Sequence, residues 1–303
     1  MRKYKSLIEK YGIKPKNYKY KGKVTLIETE DSSYIIKKRK KKNKNEIFDY
    51  LKTRNFVYYP KILNEENEEY EITEYLYNSN IPVEQKIVDL IDLLALLHNK
   101  TTHYKEVTED DYKEIYEDLK GNSEHLKTYY SDMIDIIETK MLMSPSEYLV
   151  ARNITKILAA IYYAENELEN WYEIVKNHKK IRNVVLHNNL KLDHFIRNET
   201  SFFINWEKSK IGIPVFDFYK LYKNHGLEHD FYELLNYYEK KYPLKEEERK
   251  LLFILMSLPE KLTDEKTEFE KCKMISKKID FVFKTETVIS PYNSEEGEKD
   301  NKH

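Results

Sequence analysis

Val184-Val185-Leu186-His187-Asn188-Asn189-Leu190-Lys191-Leu192-Asp193-His194-Phe195-Ile196 is followed shortly by Phe202-Phe203-Ile204-Asn205-Trp206-Glu207. Two short apolar runs rich in β-branched and aromatic residues read as buried strands. The first ends in a knot of His, Asn and Asp, and the second ends in Asn-Trp-Glu. A polar loop held between two buried strands is a place where ligands or chemistry gather, because a rigid scaffold positions it.

Around this stretch the chain changes character. Upstream of residue 77 the pattern is short runs and turns. Residues 1–15 read as a short helix with Leu7, Ile8 and Tyr11 on one face, closed by Gly12 and Pro15. Residues 18–20, 24–28 and 33–37 read as an antiparallel meander, with Lys21-Gly22-Lys23 and Glu30-Asp31-Ser32 as turns. A helix opens at Glu46, and residues 70–76 form a further alternating strand. From Pro82 onward the reading is helical. Ile87, Leu90, Ile91, Leu94, Leu97 and His98 follow a 3.6-residue period. Further helices are read at 108–120, capped by Thr108, at 123–141, and at 146–178, with Ser144 as cap and Pro145 at the first helical position. Others follow at 216–222, 229–242, 245–258 and 263–285. The tail from Thr287 reads as disordered. This gives a strand-rich lobe, 1–76, a helical lobe, 77–286, carrying the segment 184–207, and a tail, 287–303.

Composition excludes several classes. Of 303 residues, 40% are hydrophobic and 35% charged, with no run approaching the ~20 apolar residues that cross a membrane. The N-terminus lacks the apolar core of a secretory signal. The single cysteine, Cys272, excludes an internal disulfide and fits a reducing, cytoplasmic setting. A net charge of -1 gives the chain no bulk attraction for nucleic acid. Glycine is scarce, 6 residues where a usual composition has roughly 20, and all six are isolated. Neither a dinucleotide-binding glycine motif nor a Walker loop can be built from them.

The order of elements, with these motifs, resembles the protein-kinase-like phosphotransferases, and within them the aminoglycoside phosphotransferase, choline kinase and spore-coat-kinase group. The resemblance covers residues 15 to 285 and implies an α+β, two-lobe fold: a small antiparallel-sheet lobe and a larger helical one. The group carries His-Gly-Asp-Leu-x-x-x-Asn, then a strand ending in Asp-Trp-Glu. Here the frame reads His187-Asn188-Asn189-Leu190-Lys191-Leu192-Asp193-His194, then Asn205-Trp206-Glu207. Leu96-Leu97-His98 matches the group's Leu-His helix end. Asp217, between Phe216 and Phe218, matches an Asp that fastens the catalytic loop. The resemblance further implies that Lys37 meets ATP phosphates, with Glu46 as its helix partner, and that Glu74-Tyr75-Leu76 is the adenine-facing hinge. The expectation is a bacterial, cytoplasmic member of this group.

The chemistry of the frame is altered. The group uses a catalytic Asp to receive or orient the substrate hydroxyl proton, and an Asn and a second Asp to hold magnesium. Those positions here are Asn189, His194 and Asn205. An amide has no accessible pKa and cannot act as a general base. Asn205 offers a carbonyl where a hard cation wants a carboxylate, and His194 offers nitrogen, which suits zinc better than magnesium. Asp193 and Glu207 are the surviving carboxylates nearby. His187 is read as a brace for the loop and Trp206 as core.

A pseudokinase acting by binding a nucleotide or a protein partner is therefore the expectation, with ATP and magnesium in doubt. An active, rewired ATP-dependent phosphotransferase on a small-molecule hydroxyl is the alternative. A scaffold unrelated to nucleotide is the second. The run 37–44, seven basic residues in eight, reads as a solvated connection; as a nucleic-acid site it is disfavoured.

Overall fold

The structure is a computed structural model, and it describes residues 2–22, 24–39, 44–64, 69–263, 265 and 267–300. Residues 40–43 of the basic run and residues 301–303 of the tail lie outside the described residues. The strand-rich beginning is a four-stranded antiparallel sheet in chain order: β1 (Asn17–Lys21), β2 (Val24–Glu28), β3 (Ser33–Lys38) and β4 (Tyr70–Glu74). Its inner face carries Ile27, Ile36 and Ile72, and α1 (Arg2–Lys10) lays Leu7 and Ile8 against them. Gly12, at φ +67°, ends α1 in the left-handed conformation, and the Ile13 amide turns back to the Ile8 carbonyl at 3.0 Å. A second helix, α2 (Lys44–Thr53), begins near the expected Glu46.

The chain divides into two compact units. The first is 1–102 with 184–211, and the second is 103–183 with 212–303. The sheet, α1, α2 and α3 (Val83–Thr101) thus share one unit with the loop that opened the sequence reading. The periodic residues of α3, Ile87, Leu90, Ile91, Leu94 and Leu97, are all buried, as is His98.

The second unit is built on two long helices, α4 (Glu109–Glu138) and α5 (Pro145–Val175), which pack on each other. β5 (His103–Glu106) pairs antiparallel with the outer part of β6 (Lys180–Leu186), His103 opposite Asn183. Further helices are α6 (Val215–His225), α7 (Phe231–Lys241), α8 (Glu246–Ser257) and α9 (Glu268–Asp300). α5 also packs against α8 and α9.

Two expectations change. The helices read at 108–120 and 123–141 are one, because Gly121 sits inside α4 where its missing side chain faces open space and the ladder continues through it. The segment after Thr287 is not a disordered tail: α9 runs through it to Asp300, and Val288, Ile289 and Tyr292 are buried. They extend the stripe of Ile275, Ile279 and Val282 by another turn, and the Tyr292 hydroxyl donates to Asn236 Oδ1 at 2.6 Å.

Several tyrosines, among them Tyr130, Tyr222 and Tyr292, are buried with a satisfied polar end. Tyr222 meets Thr285 at 2.7 Å, and the Tyr130 hydroxyl donates to the Glu260 carbonyl. Burial pushes the Tyr222 phenol up to about 12.

Arg182 and Glu248 form a buried ion pair, with Arg182 Nε 2.8 Å from Glu248 Oε1 and the guanidinium lying over the Tyr242 ring. Removing one partner strands the other charge, so Glu248→Ala should lower stability by ~3–5 kcal/mol in urea unfolding.

At the start of α5, Glu147 bonds the Lys140 ammonium and the Ser144 amide, which hold its carboxyl at about 2 rather than the ordinary 4.5. A lowered folded-state pKa contributes stability that is present above pH 4.5 and lost as pH falls toward 2. Wild type should therefore unfold at a higher temperature than Glu147→Gln at neutral pH, and the two melting temperatures should converge near pH 2.

Candidate functional site

β6 delivers His187 to the end of a fully buried run, Val184, Val185 and Leu186. α3 supports that strand from below: the Val185 amide donates to Thr101 Oγ1 at 3.0 Å. The chain then turns through Asn188, at φ +54°, a left-handed conformation that Asn tolerates better than most residues. A single 3-10 turn, Leu192–His194, leads into a two-stranded hairpin, β7 (Phe195–Arg197) and β8 (Ser201–Phe203). The hairpin is followed by Asn205, at φ +62°, and a second 3-10 turn, Trp206–Lys208.

His187 is fully buried, and its Nε2–H donates to the Ile204 carbonyl at 2.8 Å. Trp206 packs edge-on against its ring at 4.9 Å and donates its indole N–H to the Phe203 carbonyl at 2.7 Å. Phe48, Phe56 and Tyr59 stand around the same indole at 6.0, 6.2 and 6.3 Å. His187 and Trp206 are both buried and hydrogen-bonded beneath the loop.

Asn189, His194 and Asn205 are linked to one another by hydrogen bonds. Asn189 Nδ2 donates to the Asn205 carbonyl at 3.3 Å. His194 Nδ1 donates to the Asn189 carbonyl at 2.6 Å, and the His194 carbonyl accepts the Ile204 amide at 2.9 Å. Asn189 Nδ2 and His194 Nδ1 thus bond to backbone carbonyls within the loop. Asp193, on the same 3-10 turn as His194, is exposed. A 3-10 turn advances about 120° per residue, so when His194 turns inward its neighbour turns out.

Lys37 is the inward lysine of β3. Its side chain is 15% exposed, against 70% for Lys38, which lies beside Glu69 at the surface. Among the described residues its ion-pair partners are Glu71 at 3.4 Å and Glu207 at 3.9 Å. The expected partner Glu46 is exposed in the first turn of α2. The reason is register: β3 and β4 pair antiparallel with Lys37 directly opposite Glu71, so a carboxylate is already supplied by the neighbouring strand. Glu71 is buried and also has Arg39 Nη1 at 3.9 Å, so it is flanked by two cations. Sequence reasoning did not single out Glu71 or Arg39. The alternation of Glu71 with Ile72 and Thr73 could not reveal that strand's partner.

Glu74, Tyr75 and Leu76 are half-buried at and just beyond the end of β4, where the Tyr75 amide donates to the Ser33 carbonyl at 2.8 Å. Asp217 is fully buried in the first turn of α6, in the helical unit, where its charge adds to burial in pushing the Tyr238 phenol up.

As a magnesium site the loop fits poorly. Asn205 and His194 offer a neutral amide and an imidazole already bonded through Nδ1, and the nearby carboxylate, Glu207, faces Lys37. As a phosphate contact Lys37 fits well, being a partly buried ammonium held between two carboxylates.

The chain has the protein-kinase-like phosphotransferase fold. It is similar to an aminoglycoside phosphotransferase from Alicyclobacillus acidocaldarius subsp. acidocaldarius DSM 446, with TM-score 0.73 over 96% of this chain and 95% of that one, at 9% identity. It is also similar to the AMP-bound spectinomycin phosphotransferase APH(9)-Ia, with TM-score 0.55 over 92% and 98% at 14% identity. The choline kinase LicA from Streptococcus pneumoniae matches with TM-score 0.50 over 96% and 98%, also at 14% identity. No protein-family model matches the sequence, and no curated protein is significantly similar to it in sequence. No helix among the described residues is long and apolar enough to cross a membrane.

Trp206 closes the aromatic cluster under the loop, so Trp206→Ala should cost ~3–5 kcal/mol in denaturant unfolding, as large-to-small core substitutions do. A loss well below ~1 kcal/mol would mean that the indole is a surface platform instead of core.

Proposed function

We propose that this protein is a pseudokinase: it keeps the phosphotransferase fold, binds a nucleotide, and does not transfer phosphate. The observation that carries the reading is the state of Asn189, His194 and Asn205. None has a carboxylate, and the side chains of Asn189 and His194 are bonded to the loop backbone. Phosphoryl transfer depends on positioning and on neutralising phosphate charge, and these positions contribute no anion to hold a metal there. Lys37 supplies one cation for the nucleotide phosphates, and residues 74–76 the adenine contact. In this reading residues 1–76 form the nucleotide lobe and 77–286 the helical lobe. Asp217 is a structural carboxylate. Crystals of spectinomycin phosphotransferase hold AMP or ADP, which supports nucleotide as the ligand class. The lone Cys272 suits a reducing, cytoplasmic compartment.

One observation favours the alternative, an active and rewired phosphotransferase: Glu207 lies 3.9 Å from Lys37 and retains a carboxylate two residues past the lost metal position.

Thermal unfolding with ATP separates the readings. For the pseudokinase, ATP at ~100 times its dissociation constant stabilises the fold by ~2.7 kcal/mol, equally in magnesium and in EDTA. Lys37→Met should abolish most of that shift, and no ADP should accumulate. The triple variant Asn189→Asp, His194→Asn and Asn205→Asp should make the shift magnesium-dependent. Magnesium-dependent ATP turnover by wild type, lost in Glu207→Gln, would establish the active enzyme instead. No shift with any nucleotide would leave a protein partner as the ligand.

A further inference from the structure

His225 ends α6, and Glu228 and His229 lie in the short connection to α7, outside the loop described above. Their ligating atoms all fall within 4.8 Å of one another, and they are the one such grouping of three His, Cys, Asp or Glu residues among the described residues. His225 Nδ1 is 2.8 Å from Glu228 Oε2, and the two imidazole centroids are 6.3 Å apart. Both histidines are partly buried and Glu228 is exposed, so a site here is backed by protein and open on one side.

The backbone that carries them is pinned at both ends. Gly226 closes α6 with its amide donating to the Tyr222 carbonyl at 2.7 Å. A Cβ at Gly226 would stand 2.7 Å from the Tyr222 ring and 2.9 Å from Phe281 of α9, so only glycine lets the turn press this closely. The Glu228 amide donates to the His225 carbonyl at 3.0 Å. At the far end Asp230 caps α7, accepting the Tyr232 amide at 3.1 Å and the Glu233 amide at 3.3 Å. A fixed turn holding three ligands lowers the ordering cost of binding an ion.

We propose that His225, Glu228 and His229 form a transition-metal site of the zinc class, clipping the end of α6 to the start of α7. Tetrahedral zinc, with bonds near ~2.0–2.1 Å, places its ligand atoms roughly 3.3 Å apart. Side-chain rotation can close the remaining gap without moving the backbone. Two imidazoles and one carboxylate are a borderline donor set that favours zinc over magnesium or calcium, which want oxygen. The fourth coordination position faces solvent and takes water. On binding, His225 gives up its Nδ1 contact with Glu228, the proton of the neutral ring sits on Nε2, and the Nδ1 lone pair goes to the metal. This site is independent of the nucleotide reading.

The test uses the full chain without an affinity tag, stripped with EDTA and titrated with zinc against a chromophoric chelator. Wild type should bind one ion per chain, and Glu228→Gln should bind more weakly. The double variant His225→Gln/His229→Gln should bind at least ~100-fold more weakly. Zinc should raise the melting temperature of wild type but not of the double variant. Both proteins should melt alike in EDTA, which shows that the variant is folded. Absence of zinc binding to wild type at ~100 µM, a chemical affinity of no more than ~5–6 kcal/mol, would overturn the proposal. So would stoichiometric zinc binding that survives in the double variant, or equal affinity for magnesium.

Discussion

Everything near the loop depends on one buried bond, from His187 Nε2 to the Ile204 carbonyl. It ties the end of β6 to the end of β8, where a carbonyl away from water would otherwise be costly. Because His187 is fully buried against Trp206 and Phe203, the bond is made in an apolar surround and its direction is set by packing. The loop's two left-handed asparagines, Asn188 and Asn205, each directly follow one of the tied residues. The fold of the loop is thereby independent of any charged group at positions 189, 194 and 205.

That independence means that the loop's architecture does not require carboxylates at these positions. A catalytic loop whose shape came from carboxylate–metal bonds would collapse when the carboxylates went. Here the shape comes from a histidine–carbonyl bond, an aromatic cluster and two amide turns. The altered side chains then find local partners, Asn189 on the Asn205 carbonyl and His194 on the Asn189 carbonyl. Lys37 is held inward by Glu71, supplied by the adjacent strand.

The same contrast between local and distant determination runs through the rest of the molecule. The helical stripe of α3 was legible because its period is a property of one short window. The capping of α5 by Ser144 and Pro145 was equally local. The continuation of α9 past Thr287 was not legible, because a stripe of only Val288, Ile289 and Tyr292 gains meaning when α7 and α8 offer a surface to cover it. His225, Glu228 and His229 are visible as a spacing, but their convergence depends on a turn that Gly226 permits against Phe281.

What the sequence by itself determined was the order of elements, the frame from His187 to Glu207, and the presence within it of Asn189, His194 and Asn205, none of them acidic. These are facts about residue type and short-range periodicity, and they survive any arrangement in space. Only the tertiary structure decided that Lys37 faces inward opposite Glu71, that Asp193 points away while His194 points in, and that Glu46 stands in solvent. Each of those is a choice of register or rotation. Register is selected by burial summed over a whole sheet or loop, and no single residue carries that sum.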